Sequence, residues 1–137
     1  MNREIKFRGK DIITKEWRFG SLTQDNEYNY YIVYNMSVIE GETKPNVQFW
    51  EVDKESIGQY TGLKDKNGKD IYEGDIVKLP DEKISKIVFV YDGWWFDGYD
   101  NDIIWEDRKN DFRHIEVIGN IYEHPELLKE WLNESNR

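Results

Sequence analysis

Glycine recurs at positions 58, 62, 68 and 74, and this spacing leaves no interval long enough for an ordinary helix of about ten residues. Tyr60, Ile71, Tyr72, Ile76 and Val77 stand between these glycines. Aromatic and β-branched residues of that kind fit a pleated, half-buried surface. The segment therefore predicts short strands joined by tight turns. Asn67-Gly68 is its strongest local signal, because the pair suits the positive φ angles of a two-residue hairpin turn. Glu73-Gly74-Asp75 predicts a second turn, feeding a strand over 76–79 that Pro80 closes.

The flanking sequence continues in the same style. Ile5 and Phe7 alternate with Lys6 and Arg8, the period expected of a strand with one buried face. Trp17 and Phe19 repeat the alternation after a polar break, so the two stretches predict a hairpin. Strands are further expected over 28–38, 47–52, 84–91 and 94–96, and a late one around Ile115, Val117 and Gly119. Residues 40–46 read as a loop and 97–102 as an acidic loop. The end is helical in pattern over 125–134: Pro125 suits the first helical position, and Leu127, Leu128, Trp131 and Leu132 fall on one side. The fold class is thus mainly β, several short antiparallel strands including an SH3-like small barrel, with one short C-terminal α-helix. One domain over 1–137 is expected, with an N-terminal β subregion over 1–55 and a barrel-like subregion over 56–123.

Composition narrows the function classes. The 137 residues contain no Cys, which excludes disulfides, thiolate metal sites and cysteine nucleophiles. Neither His114 nor His124 has a Ser or Thr partner in a nucleophile-elbow motif, and two imidazoles without thiols make a poor metal set. No phosphate-binding glycine motif precedes a helix. No catalytic residue, metal or cofactor is therefore expected, and the reading is non-enzymatic. The opening eight residues have no apolar stretch behind them, and no run approaches the roughly 20 residues needed to cross a bilayer. A cytoplasmic protein with no membrane partner is expected.

Two surfaces stand out. Between Gly93 and Asp111, aromatic residues interleave with acids, and Trp94, Trp95, Asp97, Tyr99, Asp100 and Asp102 form a candidate protein-binding surface, since Trp and Tyr are favoured interface anchors. Successive Trp94 and Trp95 would point to opposite faces of a strand. Arg3, Lys6, Arg8 and Lys10 form an alternative basic surface on the exposed side of the first strand. Nucleic acid is disfavoured as its partner, because the 28 acids outnumber the 19 basic residues and the formal net charge is -9. That charge equally admits an acidic mimic of DNA that inhibits a host DNA-binding protein.

Three blocks carry a resemblance. Arg3 to Arg8, the long central block Ile57 to Val77, and the closing Glu116-Val117-Ile118-Gly119-Asn120-Ile121-Tyr122-Glu123-His124-Pro125-Glu126-Leu127-Leu128 together resemble the YopX family of bacteriophage and prophage proteins. The resemblance implies a small, mostly β protein acting on host or phage machinery in the bacterial cytoplasm. It carries over no catalytic or cofactor-binding residue. The expected role is a phage-encoded accessory protein that binds a host or phage protein.

Overall fold

The computed structural model describes residues 4–80, 82–90, 93–97 and 114–128, of which 90 and 93–97 by backbone alone. The chain is mainly β. Ten strands, antiparallel in every pairing, make up the described part, and a short helix opens at Glu126 immediately after Pro125. The rest of the helical pattern expected over 125–134 lies outside the described residues. Two compact units divide the chain, Met1–Gln59 and Tyr60–Arg137.

The first unit holds β1 (Phe7–Lys10), β2 (Trp17–Gln24), β3 (Tyr30–Ser37) and β4 (Asn46–Val52), followed by a single 3-10 turn over Lys54–Ser56. The ladder runs β4-β3-β2-β1. On its other side β1 pairs with Gly58 and Gln59, which open β5 (Gly58–Lys64). The expected β1–β2 hairpin forms, with Arg8 opposite Phe19 and Lys10 opposite Trp17. This ladder also curls: just beyond β1, Asp11 bridges to Val52 at the end of β4, flanked by hydrogen bonds from the Ile12 N–H to the Glu51 carbonyl and from the Asp53 N–H to the Lys10 carbonyl. Ile32 and Val52 are buried on its inner face.

The polarity of the first strand differs from expectation. Ile5 is 70% exposed, while Arg8 is buried. The register turns Phe7 and Gly9 to the inner face, where Gly9 lies against Val52. It leaves Arg8 on the outer face opposite Phe19, covered because its guanidinium lies 4.8 Å from the centre of the Trp17 ring, where a planar cation on an apolar stem covers an aromatic at little cost.

In the second unit β5 continues into β6 (Asp70–Tyr72), and β7 (Asp75–Lys78), β8 (Ile84–Val90), β9 (Gly93–Asp97) and β10 (Glu116–Asn120) make a four-stranded sheet in the order β10-β7-β8-β9. Among the described residues this order is linear, with no pairing that closes it into a barrel. Its core is aliphatic, built from Ile71, Val77, Leu79, Ile87 and Ile115, with Leu63 and Val117 packed against it. Two buried polar side chains hold the central block together. Thr61 donates its hydroxyl to the Ile71 carbonyl at 2.7 Å, and Asp75 accepts the Tyr72 N–H at 2.8 Å.

The Asn67-Gly68 hairpin forms, but by a different turn from the one its sequence predicts. Gly68 alone has a positive φ, of 81°; Asn67 does not. A type I turn is followed by a left-handed residue, which leaves Asn67 in ordinary backbone and puts the whole conformational demand on the glycine. Asp65 fixes this turn, its Oδ1 accepting the N–H groups of Asn67 and Lys69, both at 2.9 Å. The β2–β3 turn repeats the scheme with Asp25, which accepts from Glu27 and Asn29, again both at 2.9 Å. Tyr28 takes the left-handed position there, at φ 65°.

Candidate protein-interaction surface

The register of the first unit sorts its residues onto two faces. Ser21 lies opposite Val33, Val33 opposite Phe49, and Met36 opposite Val47. Because side chains alternate along a strand, Phe19, Tyr31, Val33, Met36, Val47 and Phe49 share the outer face, whereas Leu22, Ile32, Trp50 and Val52 share the inner one. The irregularity between Val33 and Asn35 adds one residue to β3, Tyr34. Its ring stacks on Trp50 with centroids 3.8 Å apart.

The outer face is apolar and open. Phe19 is 48% exposed, Phe49 54% and Met36 69%, with Val47 beside them at 37%. Single exposed apolar residues are ordinary, but Met36, Val47 and Phe49 are neighbours on one face of β3 and β4. The face is also held in place. Tyr31 meets Phe49 edge-on, with ring centroids 5.2 Å apart, and its hydroxyl donates to Asp25 Oδ2 at 2.8 Å. The Asp25 carboxyl, stabilised as an anion by the Asn29 N–H and then by the Tyr31 hydroxyl, is lowered to about 2, and the same bond raises the Tyr31 hydroxyl above its ordinary value. On the inner side the Arg18 guanidinium lies 4.4 Å from the Trp50 ring centre and pairs with Asp11 at 3.1 Å. Asp11 is buried, and the N–H groups of Ile13 and Thr14, with Arg18, hold its carboxyl below the ordinary value against the opposing effect of burial.

Of the basic residues expected on the first strand, Arg8 and Lys10 share one aromatic ring. Arg8 is buried over Trp17, the Lys10 ammonium lies 5.5 Å from the same ring, and Lys6 is 3.7 Å from Glu4. Arg3 lies outside the described residues. Of the acidic aromatic surface, Trp94, Trp95 and Asp97 fall in β9, opposite Phe89, Val88 and Lys86 respectively. Tyr99, Asp100 and Asp102 lie outside the described residues. Among the described residues no group of three His, Asp or Glu side chains is placed to hold a metal ion.

The closing motif has a definite architecture. His124 Nδ1 accepts the Asn120 N–H at 3.2 Å, so its proton sits on Nε2, and the Asn120 side chain accepts the Glu123 N–H at 2.8 Å. The imidazole lies against Gly119, where an added Cβ would come within 2.8 Å of Nδ1. These contacts set the entry to the helix after Pro125 and leave His124 a structural part.

The YopX protein family profile matches residues 6–129. The chain belongs to the YopX family. Among solved structures, this YopX chain is similar to the crystal structure of protein EF1440 from Enterococcus faecalis, with 25% identity and a TM-score of 0.64 over 93% of this chain and 99% of the other. No curated protein matches this YopX chain. Among the described residues, no helix is long and apolar enough to cross a membrane.

Proposed function

We propose that this YopX protein is a phage- or prophage-encoded accessory protein that acts in the bacterial cytoplasm as a non-enzymatic protein-binding module. The observation that carries the reading is the open apolar face of β3 and β4, where Met36, Val47 and Phe49 lie side by side and exposed, with Phe19 of β2 on the same face. Half-exposed aromatic rings held by their neighbours lose little side-chain freedom when a partner covers them, which is what interface anchors require. Burial of Arg8 supports this reading over nucleic-acid binding by the first strand.

Photo-crosslinking tests the surface. A benzoylphenylalanine placed at position 19 or 36, in protein expressed in a bacterial host carrying the gene, is expected to give a discrete adduct with a polypeptide other than this chain. The same probe at exposed Glu27 or Glu82 is expected to give none. An adduct formed only from position 95 would move the surface to the acidic aromatic segment and overturn the assignment.

A further inference from the structure

The geometry points to a second copy of this chain as the occupant of the free edge of β4, through a two-fold antiparallel pairing centred on Gln48. The argument does not depend on the protein-binding reading.

Strand β4 ends the β4-β3-β2-β1 ladder, and among the described residues only its C-terminal end is paired on the outer side, by the Asp11–Val52 bridge. The Glu51 carbonyl accepts from Ile12 on that side, so Glu51 points its backbone groups outward. In a regular strand the direction alternates. Phe49 and Val47 therefore also point N–H and C=O outward, and Gln48 and Trp50 point theirs at β3. The free stretch is Asn46–Trp50, whose midpoint is Gln48. It carries no charge, and natural sheets usually protect such an edge with Lys or Pro inside the strand.

A two-fold axis perpendicular to a sheet pairs residues whose numbers differ by an even count, which leaves three registers here. Centred on Val47, it sets Phe49 against Pro45, which has no N–H to donate. Centred on Phe49, it sets Val47 against Glu51, whose carbonyl Ile12 already uses. Centred on Gln48, it sets Val47 of each copy against Phe49 of the other, and both residues point outward. This register gives two complete hydrogen-bonded pairs, four backbone bonds, whereas each of the other two gives one complete pair and two single bonds that leave an outward group unmatched. It also joins the exposed Val47 and Phe49 side chains of the two copies across the seam on one face. The first 59 residues hold 8 of the 19 basic residues and 10 of the 28 acids, so this unit contributes only -2 of the net charge and repels its own copy weakly.

The test uses the full chain, measured by light scattering and by cysteine trapping. The wild type is expected to double its mass with rising concentration. Val47→Pro removes two of the four bonds while its lost N–H leaves the β3 pairing intact, and is expected to raise the dimer dissociation constant by about tenfold or more with an unchanged circular dichroism spectrum. The chain has no cysteine of its own, so Gln48→Cys places one thiol opposite its symmetry mate. A non-hydrogen-bonded pair has Cα atoms about 4.5 Å apart, within disulfide reach. Mild oxidation is expected to give a covalent dimer from Gln48→Cys and not from Thr23→Cys. A monomer at all concentrations, or a dimer indifferent to Val47→Pro, or equal crosslinking of both cysteine variants, would overturn the pairing.

Discussion

Asp65 Oδ2 accepts the backbone N–H of Val117 at 2.9 Å, tying the Asn67-Gly68 turn to a strand 52 residues further along the chain. The other carboxylate oxygen holds the turn itself, and the Lys66 N–H reaches back to the Ile115 carbonyl at 2.9 Å. One buried side chain thus fixes both a hairpin and the position of β10 against it.

Removing that carboxylate leaves three backbone N–H groups without their partner. Asp65→Ala is expected to lower unfolding free energy by about 2–4 kcal/mol, and Asp65→Asn, which keeps one carbonyl oxygen, by about half as much. Urea denaturation checks both. Equal losses in the two variants would contradict the three-bond account.

The Asp25 carboxyl gives a pH dependence whose sign follows from its lowered value. Its folded value near 2 lies below the ordinary 3.8, so the folded state favours the anion. The contribution is complete above the ordinary value and is lost as pH falls from 3.8 through 2. Thermal melts between pH 5 and 2 are expected to show a shallower acid decline in Asp25→Asn than in wild type. Parallel declines would contradict it.

The two equivalent turns predict opposite effects of glycine. Gly68→Ala forces an L side chain into the left-handed region and is expected to cost about 1 kcal/mol. Tyr28→Gly relieves the same strain at an exposed residue and is expected to gain up to about 1 kcal/mol. Paired melting curves decide the matter; a destabilised Tyr28→Gly would show that its ring contributes more than its backbone costs.

At the closing motif, Gly119→Ala pushes a methyl group against the His124 ring and is expected to destabilise by about 1–3 kcal/mol. His124→Ala removes the obstacle together with the Asn120 hydrogen bond. The double variant is therefore expected to lose clearly less than the two single losses combined. Additive losses would place the strain elsewhere.

Strand positions were legible because period two survives whatever covers each face: β1 to β4 and β7 to β10 lie where alternation and glycine spacing predict. Direction was less legible. Ile5 precedes β1 and is exposed, and Arg8 on the outer face is covered by its contact with Trp17, and alternation alone foresees neither. The turn at Gly68 was visible as Asn-Gly, whereas its twin at Tyr28 carries no such signature, since Asp25 supplies the hydrogen bonds and the backbone accepts the strain. The outer face on β2 to β4 went unmarked for a related reason. Residues 30–34 are apolar or aromatic on both faces, so only the register separates Phe49 and Met36 from Trp50 and Ile32.

The central claim is that this outer face binds a protein. Once crosslinking has identified the partner, titration calorimetry of the purified pair tests it most directly, comparing wild type with Met36→Ser and Phe49→Ser after circular dichroism has shown both variants folded. The account predicts that Phe49→Ser weakens the dissociation constant by about tenfold or more, with Met36→Ser in the same direction. Unchanged affinity in both would contradict it.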